Sequence, residues 1–230
     1  MTEMPAIPKF LDRTPLIGTY SFMHNYVDIC QYQTFHRYIA KTIKFVETPE
    51  IKFGNEVHKA FERRIGGGVP LPVNMQQWEP FARPFDGQGA KVETQLGLTA
   101  DGRATRYFGD DVRYRVKIDV NVIKGTTAYI ADFKTGGSKY EDPFELEVGA
   151  LHLHALHPTL TKIVGNFIWL KENRLGQTYD LSDTKATWNK VTGIMKSMET
   201  ARANDDWPKR PSGLCGWCPV KDCEHWRERK

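Results

Sequence analysis

The sequence is short of cysteine, with four in 230 residues. It has no run of the roughly 18 apolar residues that a membrane span needs. No basic stretch followed by an apolar core opens it, so a secretory leader is not expected. Repeats and low-complexity tracts are missing, which sets aside solenoids and biased linkers. Charge of one sign does not dominate: 32 Lys and Arg against 28 Asp and Glu leave +4. That balance permits a polyanionic partner without requiring one. The expectation is a cytoplasmic chain with no membrane partner. Its 40% hydrophobic content is enough for one large domain, or one domain with an annex.

The few cysteines are not spread evenly. Cys215, Cys218 and Cys223 form a C-x2-C-x4-C run, and Cys30 stands about 185 residues upstream. In a reducing compartment such spacing indicates a shared metal centre rather than disulfides. Zn²⁺ accepts four thiolates as readily as an iron–sulfur cluster does, and spacing does not choose between them. Either centre would fasten the two ends of the chain together.

Residues 1–18 carry Pro5, Pro8 and Pro15 and read as a lead-in. The aromatic-rich segment 19–43 reads as a helix containing Cys30. A second helix is expected over 51–65, where Val57, Ala60, Phe61 and Ile65 make an apolar stripe closed by Gly66-Gly67-Gly68. Residues 69–90, rich in Pro and Gly, read as a loop or an insertion. From Val112 to Val122 apolar residues alternate with Arg113, Arg115, Lys117, Asp119 and Asn121, the period of a strand with one buried face. Strands are expected again over 127–134 and 162–170, and helices over 142–157 and 185–202. The fold class is therefore α/β, a central mixed sheet flanked by helices.

The chemistry concentrates in the hairpin. If Gly125-Thr126 is a two-residue type II′ turn, Lys124 pairs with Thr127 and Asp119 falls opposite Asp132. Facing carboxylates repel unless a hard divalent cation such as Mg²⁺ or Mn²⁺ lies between them. Lys134 projects to the same face as Asp132, where it could hold a water. Arg113, Arg115 and Lys117 share the face of Asp119 and suit phosphate contacts. The plainer alternative is a solvated hairpin face of mixed charge.

Asp119 followed by Asp132-Phe133-Lys134 resembles the PD-(D/E)XK nuclease motif. Gly54-Asn55-Glu56-Val57-His58 is similar to the G-x-x-x-H motif of its RecB-type branch. The segment around Tyr20, Ser21 and Cys30, with Cys215, Cys218 and Cys223, resembles the iron–sulfur version found in AddB-type and Cas-four nucleases, virus-encoded ones included. The resemblance spans about residues 19–226. It implies a restriction-endonuclease-like core over 50–200 and a cysteine annex from 19–45 and 205–226, all within one domain of residues 1–230. It further implies His58, Asp119, Asp132 and the Phe133 carbonyl as ligands of Mg²⁺ or Mn²⁺, Lys134 as the catalytic lysine, and the four cysteines on a 4Fe-4S cluster. One departure is that the family's Q-x-x-x-Y motif is met here only by Glu145 to Gly149. Glu145 is then either a DNA or water contact, or half of a capping box with Asp142. The other departure is a cysteine run one residue tighter than the commoner spacing.

Around these positions, Glu62 lies one helical turn from His58 and reads as solvated or as its orienting partner. Glu93 opens a strand and could approach the metal. His152, His154 and His157 do not share one helix face, which speaks against a zinc site. Trp217 and Trp226 flank the cysteines, to pack over a cluster or to stack on bases. The expected function is divalent-metal-dependent cleavage of DNA, as an exonuclease on single-stranded ends, in recombination, repair or CRISPR-adaptation-like processing. The setting would be a bacterial or archaeal cell, with a virus-encoded origin open, and the partner a second copy or a recombination complex. The alternatives are a non-catalytic DNA-end-binding adaptor on the same fold and a zinc-clasped interaction domain.

Overall fold

In a computed structural model the protein is described over residues 14–139 and 141–228. The lead-in therefore lies outside the described residues up to position 13. The chain forms two compact units, Met1–Val46 with Lys190–Lys230, and Glu47–Asn189.

The first unit opens on α1 (Tyr20–His24), capped by the Thr19 hydroxyl, which accepts from the Phe22 N–H. A π-helical turn, Asn25–Ile29, follows, and then Cys30 adopts an extended backbone, φ −166°. Helix resumes as α2 (Gln31–Thr34) and a second π-turn, Phe35–Ile39. The expected continuous helix over 19–43 is thus broken at its cysteine. The break is held by buried polar groups: Asn25 donates to Gln33 Oε1 at 3.0 Å, and the Thr34 hydroxyl sits 2.8 Å from the Cys30 carbonyl. Local hydrogen bonds of this kind compete with the helical ladder.

The second unit is a mixed sheet with helices on both faces. α3 (Pro49–Gly67) starts at the Thr48 cap, with Pro49 in its first turn, and ends at Gly68 in the left-handed conformation, the residue best able to adopt it. The stretch 69–90 is not a bare loop. It forms a 3-10 turn (Val73–Trp78), α4 (Glu79–Ala82) and a further turn, and it buries Leu71, Met75, Trp78 and Phe85. Its Pro and Gly residues punctuate short turns without preventing its aromatic residues from reaching the core.

The strands are β1 (Lys91–Leu98), β2 (Ala104–Thr105), β3 (Tyr114–Lys124), β4 (Thr127–Lys134), β5 (Lys162–Trp169), β6 (Arg174–Leu175) and β7 (Tyr179–Asp180). Their order is β2-β1-β3-β4-β5-β6, with β7 also on β5; β4 and β5 run parallel and the other pairs antiparallel. A parallel pair needs a crossover, supplied here by α5 (Phe144–Leu156). α6 (Thr184–Asn204) begins in this unit. No described helix is long and apolar enough to cross a membrane.

The hairpin turns as expected. Lys124 pairs with Thr127, and Gly125 alone of the two turn residues has positive φ, +58°, as a type II′ turn requires. The faces of β3 are not as simple as the alternation suggests. Ile118 lies on the α5 side, where a Cβ on Gly149 would stand 3.5 Å from it, while Val120 joins Val57, Phe61 and Phe133 in the core under α3. Two even-numbered residues therefore face opposite sides, and the strict period of two breaks between them, at Asp119.

Candidate metal centre

The break in β3 is where the site residues converge. The β3–β4 ladder ends at Val120↔Ala131. One step on, Asp119 and Asp132 make no further ladder pair. Asp119 instead turns into the opening between the strands and accepts the Phe133 N–H through Oδ2 at 2.9 Å. The same oxygen lies 3.2 Å from His58 Nδ1 on α3. An extended residue points its N–H and C=O to the same side, so the Phe133 carbonyl also faces this opening.

On the other side of β3, the pairs Val92↔Val120 and Thr94↔Ile118 bracket Glu93 and place it across from Asp119. Glu93 has φ +50°, a left-handed conformation uncommon for a non-glycine residue and frequent at functional sites. His58, Glu93 and Asp119 present ligand atoms within 4.8 Å of one another. Lys117 forms an ion pair with Glu93.

Asp132 stands outside that trio. Its Oδ2 lies 2.8 Å from Lys134 Nζ as an ion pair and, although buried, receives no well-aligned hydrogen bond. Lys134 in turn is hydrogen-bonded to Glu145 at the start of α5. Glu145 therefore completes no capping box, though Asp142 does accept from the Phe144 N–H at 3.1 Å. Lys134 also lies 5.4 Å from the Phe167 ring centre.

The charges explain the titration of the site. Burial alone would push the His58 imidazolium down. The Asp119 hydrogen bond and the negative charges of Asp119, Asp132 and Glu93 together outweigh it, and the net shift is upward. Burial raises the Asp132 carboxyl well above the usual range, opposed by Lys134 and reinforced by Glu145 and Asp119. Burial works against the Lys134 ammonium, yet Asp132 and Glu145 raise it overall. The two carboxylates thus favour the charged form of Lys134, while they repel one another.

The donor set fits a hard divalent cation. One imidazole, three carboxylates and a backbone carbonyl are ligands that Mg²⁺ and Mn²⁺ accept, and the buried Asp132 Oδ2 has only the Lys134 ammonium beside it. Glu93, expected to open a strand and approach the metal, does join the cluster. Its left-handed backbone and its place opposite Asp119 leave no local mark in the sequence.

Other expected residues take separate places. Arg115 packs against Tyr107 and Phe108. Arg113 holds β3 to β1 by donating its N–H to the Leu98 carbonyl at 2.7 Å. Glu62 is close enough to act on the Lys117 ammonium. His152 is buried beside the Val148 carbonyl, and His154 lies 3.4 Å from the Thr184 hydroxyl. The histidines of α5 enter no ligand cluster among the described residues.

Within the first unit, Cys30, Cys215, Cys218 and Cys223 line one cavity together with Tyr32 and Trp226. Gln33 Nε2 donates to Cys218 Sγ and the Ser212 N–H to Cys215 Sγ, both at 3.3 Å. Among the described residues no three of these sulfurs lie within 4.8 Å of one another. Trp217 is 65% exposed and does not pack inward as Trp226 does.

No protein-family model matches the sequence, and no curated protein matches it. Among solved structures the chain is similar to a protein from Eubacterium rectale named "Putative exonuclease". Identity is 13%, 93% of this chain and 89% of that chain are covered, and the TM-score is 0.55. SSO0001 matches at 11% identity over 77% of this chain and 81% of that chain, with a TM-score of 0.40, too low to carry an argument. The first match, together with the mixed sheet and its flanking helices, is consistent with a restriction-endonuclease-like fold.

Proposed function

We propose that the protein is a divalent-metal-dependent deoxyribonuclease of the RecB-type branch, acting as an exonuclease on single-stranded DNA ends. The observation that carries this reading is the convergence of His58, Glu93, Asp119 and the Phe133 backbone on one opening in the sheet, with Asp132 and Lys134 at its edge. Purely structural packing does not require such a concentration of like charge. The named character of the Eubacterium rectale protein points the same way.

In this reading His58, Asp119, Asp132 and the Phe133 carbonyl hold Mg²⁺ or Mn²⁺, and Glu93 joins them. When bound, the ion supplies Lewis-acid activation of the phosphate and lowers the pKa of a water. The chain does the rest. Asp119 keeps His58 oriented through Nδ1. Lys134 positions the attacking water and offsets negative charge growing on the phosphoryl oxygens. Glu145 fixes the ammonium in place. Lys117, Arg115 and Arg113 provide cationic contacts for the DNA backbone.

The cysteines are proposed to hold a 4Fe-4S cluster. The four cysteines line one cavity, and Cys215 and Cys218 accept hydrogen bonds as thiolate ligands do; zinc on the same thiolates is the alternative. We propose further that residues 1–230 work as one nuclease domain. Its setting would be the cytoplasm of a bacterial or archaeal host, virus-encoded or not, with a second copy or a recombination complex as partner.

The test is anaerobically purified protein on end-labelled single-stranded DNA with Mg²⁺, Mn²⁺ or EDTA, beside Asp132→Ala. Metal-dependent cleavage that Asp132→Ala abolishes is expected. Tight binding without cleavage under every metal would favour a non-catalytic end-binding adaptor, a reading that the capture of Lys134 between Asp132 and Glu145 also accommodates.

A further inference from the structure

Away from the metal ligands, the same strand carries a second arrangement whose purpose the cleavage chemistry does not explain. The turn after β2 presents Tyr107 and Phe108, with ring centres 4.8 Å apart at 80°. The Arg115 guanidinium carbon lies 5.3 Å from the Tyr107 ring centre and 5.2 Å from that of Phe108. Arg115 Nε is buried without a hydrogen-bond partner, and the guanidinium lies against both rings. Phe108 nevertheless remains 74% exposed. Leaving a large aromatic face in water is unfavourable, and orienting it with a cation from below adds nothing to the hydrophobic core.

The platform is built deliberately into the backbone. Gly97 of β1 pairs with Arg115 on one side and Thr105 on the other. A Cβ at Gly97 would stand 2.8 Å from the Arg106 carbonyl, so only glycine lets the turn lie close over β1. Within the turn, the Gly109 N–H donates to that same carbonyl at 2.9 Å. Alternation puts Arg115 and Lys117 on one face of β3, and Lys117 reaches the metal site through its ion pair with Glu93. Arg115 lies four steps along the strand from Asp119, about 13 Å at about 3.3 Å per residue.

We infer that Phe108, backed by Tyr107 and Arg115, is a stacking platform for an unpaired base of single-stranded DNA, a short distance along the strand from the metal centre. An exposed ring offers a face to any base, and stacking of this kind is tolerant of sequence. Arg115 fixes the ring and adds a positive charge beside the phosphate path, continued by Lys117. A duplex has its bases stacked internally and cannot use the platform, so the platform supplies a preference for single strands. The inference rests on the nuclease reading and extends it from chemistry to substrate form.

The experiment is fluorescence anisotropy of a labelled oligonucleotide with the full chain, in EDTA and in Ca²⁺, comparing wild type, Phe108→Ala and Phe108→Trp. Cleavage in Mn²⁺ is measured in parallel. For single-stranded DNA, Phe108→Ala should weaken binding about 5- to 100-fold, the factor that one stacked base represents. Phe108→Trp should restore it. A fully abasic oligonucleotide and a blunt duplex should bind wild type and Phe108→Ala alike. Equal affinity of wild type and Phe108→Ala for single-stranded DNA, in a protein that binds and cleaves it, overturns this inference alone. An equal loss on the abasic chain or the duplex also overturns it, because the contact would then be with the backbone. A wild-type protein that neither binds nor cleaves single-stranded DNA overturns the nuclease reading as well.

Discussion

Asp119 serves two partners with one oxygen, the Phe133 N–H and the His58 ring. A carboxylate so engaged orients its neighbours as well as offering itself to a metal. Asp119→Asn would keep the size but replace the anion, and metal-dependent cleavage should fall by at least a hundredfold, with Mn²⁺ titration showing weaker metal affinity. Lys134 is held as a cation by Asp132 and Glu145. Lys134→Gln should therefore lower kcat strongly while leaving metal binding nearly intact, which calorimetric Mn²⁺ titration would check. Another buried titratable group is His152, whose pKa is lowered to about 4 from 6.5, chiefly by burial. The sign follows from linkage: the unfolded chain binds this proton below about pH 6.5 and the folded one does not, so stability falls with pH between about 6.5 and 4. The loss approaches roughly 3 kcal/mol at the lower limit. Denaturant midpoints measured across that window should decline in the wild type and decline less in His152→Leu.

At the scale of elements, α3 shows how much was readable locally. Thr48, Pro49, the apolar stripe and the terminal glycines mark its start, face and end, and the structure extends the expected 51–65 only to Pro49–Gly67. The Thr48 hydroxyl accepts from the Ile51 N–H at 3.3 Å. Thr48→Ala should lower stability by about 1 kcal/mol, read as a shifted unfolding midpoint with an unchanged slope. The β3–β4 hairpin was equally legible, because Gly125 fixes the turn and the turn fixes the register. Two elements were not. The segment 19–43 has helical composition, but side-chain hydrogen bonds from Asn25, Gln33 and Thr34 open it at Cys30. The stretch 69–90 looks loop-like because its turns need Pro and Gly, and only its packing shows that Trp78 and Phe85 are core.

At the scale of the molecule, the second unit carries the sheet and the carboxylates, and the first gathers all four cysteines around one cavity. If that cavity holds the proposed cluster, metal binding is part of folding there. Cys30→Ala should yield protein with little bound iron, no cluster absorbance and reduced solubility. A soluble variant with full iron content would overturn that assignment.

The order of motifs along the chain, the alternation in β3 and the turn at Gly125 were local properties, and the sequence by itself determined the hairpin, the fold class and the residues worth watching. The tertiary structure decided how those residues meet. The ladder stops at Val120↔Ala131, Asp119 fills the opening, Glu93 enters in a left-handed conformation, and Glu145 leaves its helix cap for Lys134. None of these follows from spacing. Each is the outcome of competing electrostatic and packing demands that arise only when α3, β1, β3, β4 and α5 are brought together around one cluster of like charge.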